Sequence, residues 1–299
     1  MTTKRTTPAE ARVEESFALG RDATRLYVRY RPGPSTTLAL LTDGLVCDGF
    51  IYKYLWTDLG RKLSVAHWNY RGHGRSALPA DPRCIDVAAH ASDLDAVRRH
   101  LGDPPVVLVG HSFGTQVALE AYRIRATNVR AMVLMDGSFG KVTHTFHGTD
   151  LLASVLPNLL DFAGRHPKIA RALWSRLPAR AAIRIAALTG EIDAKAVRVE
   201  DIEPYFQHAA HVDFPMFLRM LLYAGEHSAE DMLSRIDVPV LVIAGDRDSF
   251  TPPYVAEAMA RAISKAELAM IPGGTHIAPL EHRREVADRI LKFLAAHGV

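Results

Sequence analysis

The chain has 299 residues, 48% of them hydrophobic and 23% charged, and 36 Lys and Arg against 33 Asp and Glu leave a formal charge of +3. That length holds two average domains or one large α/β unit with an insertion, with a sizeable core. So mild a balance, with arginines scattered among acids, supplies no charge block for nucleic acid or an acidic membrane surface. The two cysteines, Cys47 and Cys84, lack metal-type spacing and read as free thiols in a reducing compartment. The first residues, MTTKRTTPAEARVEES, lack the apolar stretch of a signal peptide, and no apolar run reaches the roughly 18 residues a bilayer span requires. The expectation is a soluble cytoplasmic protein with no membrane span.

Residues 1–10 are polar, threonine-rich and expected to be loosely attached. Strand-like runs follow at Arg12–Leu19 and Arg25–Tyr30, with Gly20-Arg21-Asp22 between them as a hairpin turn. Thr37–Thr42 reads as a buried strand ending in Asp43-Gly44. Phe50–Lys62 has helical spacing, Ser64–Asn69 is a strand, and Ile85–Leu101 is a helix. Then come a β-branched run from Val106 to Val109, a helix over Thr115–Ala126 and a strand at Arg130–Met135. Alternation of buried strands with helices predicts a doubly wound, mostly parallel sheet covered on both faces. From Phe139 to Ser234 the rhythm breaks into helical segments punctuated by Pro157, Pro167, Pro178, Gly190 and Pro204. It resumes with strands at Val238–Gly245 and Glu267–Ile271 and a last helix at Leu280–Ala296. The expected organisation is therefore a core over residues 11–138 and 235–299, interrupted by a helical cap over 139–234.

The most informative stretch is PVVLVGHSFG, residues 105–114. A strand runs into a sharp glycine-flanked turn bearing Ser112, and a helix follows at once; this is the setting in which G-x-S-x-G forms a nucleophile elbow. A serine hydroxyl needs an adjacent base that is itself oriented by a third group. In an open parallel sheet such groups collect beyond the carboxyl ends of the strands. Two strand ends supply them, Asp246-Arg247-Asp248 after Val238–Gly245 and Gly273-Gly274-Thr275-His276 after Glu267–Ile271. The order Ser, Asp, His is the one expected on such a sheet. His282 is the rival base and Asp136 a further candidate acid.

Through GHSFG, GDRDSFTP, GGTHIAPLE and the RGHGRS loop, the chain resembles α/β-hydrolase-fold serine hydrolases of the esterase type with a helical cap, from about Leu38 onward. The resemblance implies that Ser112 is the nucleophile, His276 the general base and Asp248, rather than Asp246, the orienting acid. Thr251 reads as the cap of a helix opening at Pro252, and Asp246 as a binder of turn amides. The oxyanion hole needs two backbone N–H donors. Phe113 is one, and Leu45 is the other, on a loop where relatives carry His-Gly and this chain has Asp43-Gly44. A carboxylate ~8 Å from an oxyanion opposes it by roughly 2 kcal/mol at an effective dielectric near 20. Asp43 is therefore expected to be paired, with a cation such as Arg71, or to cap turn amides.

Two motifs are read as structural. Gly72-His73-Gly74-Arg75-Ser76-Ala77 has dinucleotide-loop spacing, but Pro79 and Asp81-Pro82 prevent a helix from opening there. The pairs His144/His147 and His208/His211 lack a third ligand in register, so no metal or cofactor is expected. The cap, rich in Leu, Ala and aromatics, is expected to close an apolar pocket for a small to medium hydrophobic substrate. Cleavage of a carboxylic ester, lactone or thioester leads. The same machinery serves carbon–carbon hydrolysis, acyl transfer and cofactor-free perhydrolysis, while a non-catalytic ligand-binding protein on this scaffold is the alternative from another class. With Ser112 where haloalkane dehalogenases and epoxide hydrolases carry Asp, those chemistries are disfavoured. The oligomeric state is left open.

Overall fold

Four strands buried along their whole length lie inside a single sheet, β3 (Leu38–Thr42), β4 (Ser64–Trp68), β5 (Val106–His111) and β7 (Val240–Gly245). With β1 (Glu14–Leu19), β2 (Arg25–Arg31), β6 (Val129–Met135) and β8 (Ala266–Ile271) they make eight strands in the order β1-β2-β4-β3-β5-β6-β7-β8. β2 is antiparallel to both its neighbours, and every pair from β4 onward is parallel. The computed structural model describes residues 12–175, 179–188 and 190–299; the expected loose segment 1–10 lies outside them, as does Pro178. The chain thus has the α/β-hydrolase fold.

Alternation along the strands feeds two cores. Leu38, Leu40, Val106 and Leu108 face one side, where α2 (Val87–His100) contributes Ala91, Leu94 and Val97 and α3 (Phe113–Ile124) contributes Val117, Ala118 and Ala121. Ala39, Leu41, Val107 and Val109 face the other, against Leu55 and Leu59 of α1 (Leu55–Leu59) and Val286, Ile290 and Phe293 near the C-terminus. β3 leads on to β4 on one side and the adjacent β5 leads on to β6 on the other, so the connections leaving these two strands run in opposite directions along the sheet. That reversal opens a crevice beyond the carboxyl ends of β3 and β5.

Between β6 and β7 the chain builds α4 (Leu151–Arg165), α5 (Pro167–Ser175), α6 (Ala179–Leu188), α7 (Val199–Ala209), α8 (Phe214–Glu226) and the short α9 (Glu230–Leu233). Met216, Met220 and Ala224 of α8 join the core of the sheet, while Leu218 packs with Leu156 and Ala163 of α4. Trp174 stacks on Phe214 at 4.7 Å and on Phe217 at 5.2 Å. After β7 come α10 (Pro253–Ala262), α11 (Ala278–Glu281) and α12 (Arg283–Ala296). No described helix is long and apolar enough to cross a membrane.

Two expected helices are broken. The Phe50–Lys62 run is a 3-10 turn at Phe50–Tyr52 followed by α1, because Tyr52 turns inward to donate its hydroxyl to the Thr42 carbonyl at 2.6 Å. The last helix splits at His282, where Glu281 accepts from both the N–H and the hydroxyl of Thr275 at 2.8 Å. α3 also begins earlier than expected, directly after Ser112.

Arg71 is an anchor of the fold. It is buried, and its Nε and Nη2 each donate to a different oxygen of the buried Asp93 at 2.6 Å, while Nη1 reaches Asp22 at 3.0 Å and the Cys84 carbonyl at 2.9 Å. Replacing it would strand the Asp93 carboxylate. Arg71→Ala is expected to lower unfolding free energy by about 3–5 kcal/mol, read from urea midpoints at unchanged slope.

Candidate active site

Ser112 sits between β5 and α3 with φ 54° and ψ −120°, a conformation strained for a residue with a side chain. Its N–H donates to the Met135 carbonyl at 2.9 Å, and its own carbonyl accepts from Thr115 at 2.9 Å. The turn requires its glycines. A Cβ on Gly114 would stand 2.1 Å from the Thr42 carbonyl oxygen, and one on Gly110 would stand 2.4 Å from that of Gly114. The elbow is therefore pressed against the end of β3.

The loops after β7 and β8 bring the expected acid and base to this serine. His276 Nδ1 lies 2.9 Å from Asp248 Oδ2, and His276 Nε2 lies 2.8 Å from Ser112 Oγ. A carboxylate only accepts, so in the neutral ring the proton is on Nδ1, and Nε2 takes the serine hydroxyl's hydrogen bond. Asp248 is buried and saturated. Oδ1 accepts from the N–H groups of Phe250 and Thr251 at 2.8 and 2.9 Å, and Oδ2 from the Thr251 hydroxyl at 2.7 Å as well as His276. This corrects the reading of Thr251 as the helix cap. Pro252 occupies the cap position and Pro253 the first turn, because the Thr251 hydroxyl is committed to Asp248. Asp246 accepts from the Gly273 N–H at 2.7 Å and so ties the two loops together.

The rival groups are not hydrogen-bonded into this row. His282 stays at the start of α12. Asp136, at the end of β6 with φ 43°, is buried and accepts from the Gly245 N–H at 2.9 Å, while its second oxygen has no described partner. Burial first, and then the charge of Asp248, push the Asp136 carboxyl well above the usual range.

Burial works to lower the His276 pKa, but the Asp248 charge and hydrogen bond, with Asp136 and Glu191 behind them, outweigh it and the net shift is upward. His111, the residue before the serine, behaves oppositely. It is buried, its pKa falls to about 4 through burial and then the nearby His276, and its Nε2–H donates to the His276 carbonyl at 2.9 Å. A neutral ring thus holds the backbone of the loop that carries His276.

On the far side of the serine, a Cβ on Gly44 would lie 3.1 Å from Ser112 Cβ, so the Asp43-Gly44-Leu45 loop borders the hydroxyl. Neither the Phe113 nor the Leu45 N–H has an acceptor among the described residues. Asp43 is buried, but Arg71 is not its partner, being held by Asp93 and Asp22. Instead Asp43 Oδ2 lies 2.6 Å from Nε2 of His67, a buried residue of β4, and the Tyr70 hydroxyl donates to the Asp43 carbonyl at 2.6 Å. The sequence signal for this was the alternation of β4, which places His67 on the same face as Val65.

A contact from the inserted segment was missed altogether. Glu191 Oε1 lies 2.6 Å from His147 Nε2, and Glu191 Oε2 accepts from the Ser249 hydroxyl at 2.6 Å. The next residue, Phe250, stacks on the His276 ring at 4.8 Å and 23° and meets Phe146 edge-on at 4.9 Å. No local motif announces a partner almost 60 residues away in sequence. The histidine pairs of the insertion form no three-ligand cluster among the described residues. His211 Nδ1 donates to the Gln207 carbonyl at 2.7 Å, and His208 Nδ1 lies 3.6 Å from Asp48. RGHGRS is a tight turn in which Asn69 accepts from the Arg75 N–H at 3.1 Å.

Comparison with known proteins agrees with this fold. Residues 44–289 match the model of the alpha/beta hydrolase family. Lipase LipV of Mycobacterium tuberculosis is 30% identical over 240 residues, covering 79% of this chain and 83% of that protein. The polyketide synthase ThaQ of Burkholderia thailandensis is 30% identical over 301 residues, which is 96% of this chain but 13% of that protein. Among solved structures, the esterase EaEST from Exiguobacterium antarcticum is similar with a TM-score of 0.74 at 18% identity, over 94% of this chain and 100% of that one.

The imidazole environments separate in a titration. In NMR spectra of the ring nitrogens, His276 is expected to hold its proton to above the ordinary value of 6.5, whereas His111 and the buried His73 stay neutral down to about pH 4. A His276 midpoint below 6.5 would contradict the balance of charges described.

Proposed function

The chain belongs to the alpha/beta hydrolase family, and from that premise we propose that it cleaves a carboxylic ester of a small to medium hydrophobic substrate through an acyl-enzyme. The observation that carries this reading is the unbroken row from Asp248 through His276 to Ser112, at 2.9 and 2.8 Å. In this scheme Ser112 Oγ bonds to the ester carbonyl carbon as its proton passes to His276 Nε2. The Asp248 carboxylate keeps Nδ1 protonated and stabilises the imidazolium. The tetrahedral oxyanion rests on the N–H groups of Phe113 and Leu45. Collapse expels the alcohol, which takes the proton from Nε2. Water then repeats the sequence in reverse, releasing the acid and restoring Ser112.

No cofactor or metal enters these steps. The helical insertion, residues 139–234, acts as the cap, and its contact with the Ser249–Phe250 loop is where it meets the base. An apolar pocket beneath it would exclude water and select a hydrophobic acyl or alcohol group.

Labelling with an organophosphonate is expected to place one adduct on Ser112, and Ser112→Ala to lower turnover of short p-nitrophenyl esters by roughly 10⁴-fold or more. Tight ligand binding without turnover by an unlabelled protein would instead favour a binding role.

Asp43 gives a second test. Because Asp43 is buried and its Oδ2 is held by a hydrogen bond to His67, it is directed into β4, and Asp43→Asn is expected to change the acylation rate by less than about tenfold. A many-fold acceleration in burst kinetics would show that the carboxylate is uncompensated.

A further inference from the structure

The inserted helices carry apolar side chains on more than the face they bury. α4 seats Leu156 and Ala163 against α8, where Leu218, Phe214 and Phe217 complete a small core. An adjoining flank presents Leu151, Val155, Leu159 and Phe162, whose spacings of four, four and three residues align them along the helix. These four are 69%, 48%, 37% and 40% exposed. α5, packed against α4, exposes Ile169 and Leu173, four residues apart and 53% and 69% exposed, and the next helix, α6, exposes Leu188 at 87%. Single exposed leucines are ordinary, but a helical stripe with further exposed apolar side chains on the helices that follow is a mark of an interaction surface.

Charge distinguishes what that surface fits. Residues 151–188 contain Arg165, Lys168, Arg171, Arg176, Arg180 and Arg184 against a single acid, Asp161, in a chain whose total formal charge is +3. The cations that look scattered along the whole sequence are concentrated here. Arg165 pairs with Asp161 at 3.0 Å and Arg180 lies 3.9 Å from Glu203. Lys168 and Arg184 are exposed, with no acid in ion-pair range among the described residues. Two copies of so basic a face would repel each other. A surface of phosphate headgroups over acyl chains matches both properties, taking the stripe into its apolar boundary and the cations at its headgroups.

We propose that α4, α5 and α6 dock the protein peripherally on anionic lipid surfaces. This goes beyond the hydrolase reading and stands or falls apart from it. The test is sedimentation of the full chain with large vesicles of phosphatidylcholine alone or mixed equally with phosphatidylglycerol. Partitioning onto the anionic vesicles is expected to exceed that onto neutral ones by about tenfold or more, and to fall steeply between about 0.05 and 0.5 M salt. Leu151→Ser with Phe162→Ser, and separately Lys168→Glu with Arg184→Glu, should each weaken it about tenfold, with thermal melts unchanged because all four side chains are exposed. Equal partitioning onto both vesicle types, or by wild type and both double variants, would overturn the proposal. So would a concentration-dependent dimer in lipid-free sedimentation velocity that the serine variant disperses, since the stripe would then be covered by a second copy.

Discussion

The site depends on how closely the elbow can approach the end of β3. Gly114 has no Cβ, and the Thr42 carbonyl occupies the space one would need. That contact brings Ser112 beside Gly44, so two different loops meet at the same residue. Parallel pairing from β4 to β8 then makes the remaining groups neighbours, since every one of these strands ends on the same edge. Three loops distant in sequence converge because a sheet has one carboxyl edge, and the precision of the row comes from hydrogen bonds that fix each loop separately. Asp248 fixes its own loop through three donors within three residues, while His111 fixes the loop of His276 from below.

Much of this was legible in the chain because the signals are local. Aliphatic runs of five or six residues marked the strands, glycines at fixed offsets marked the elbow, and strand ends marked Asp248 and His276. What escaped was set by contacts over distance. Tyr52 breaks a helical pattern by reaching Thr42, and Glu281 breaks another by holding Thr275. Thr251 has the sequence position of a helix cap, and only the geometry shows its hydroxyl spent on a carboxylate. Arg71 was the reasonable cation for Asp43 by proximity in the strand-loop order, yet its fork is matched to Asp93, and the hydrogen-bond partner of Asp43 is a histidine one strand away. Glu191 carries no motif at all. Its position follows from how the insertion folds back over the sheet.

Two buried carboxylates flank the row, Asp43 and Asp136, each with one oxygen lacking a described partner. Such groups are expensive to bury and weak arguments for stability. Around a hydroxyl, an imidazole and two free amides, they instead set the electrostatic field in a region with little water to screen it. Asp136 is drawn toward its neutral form and Asp43 is hydrogen-bonded to a histidine, so the negative charge that bears most on the His276 ring is that of Asp248.

The contact between Glu191 and Ser249 ties together two things usually treated apart. Ser249 precedes the phenyl ring that walls the imidazole, and Glu191 belongs to the segment inserted between β6 and β7. Whatever holds that segment down also steadies the ring, and by linkage whatever steadies the ring strengthens the hold on the segment. The order of the imidazole and the hold on the inserted segment are thus one coupled property, and a change at either end is felt at the other.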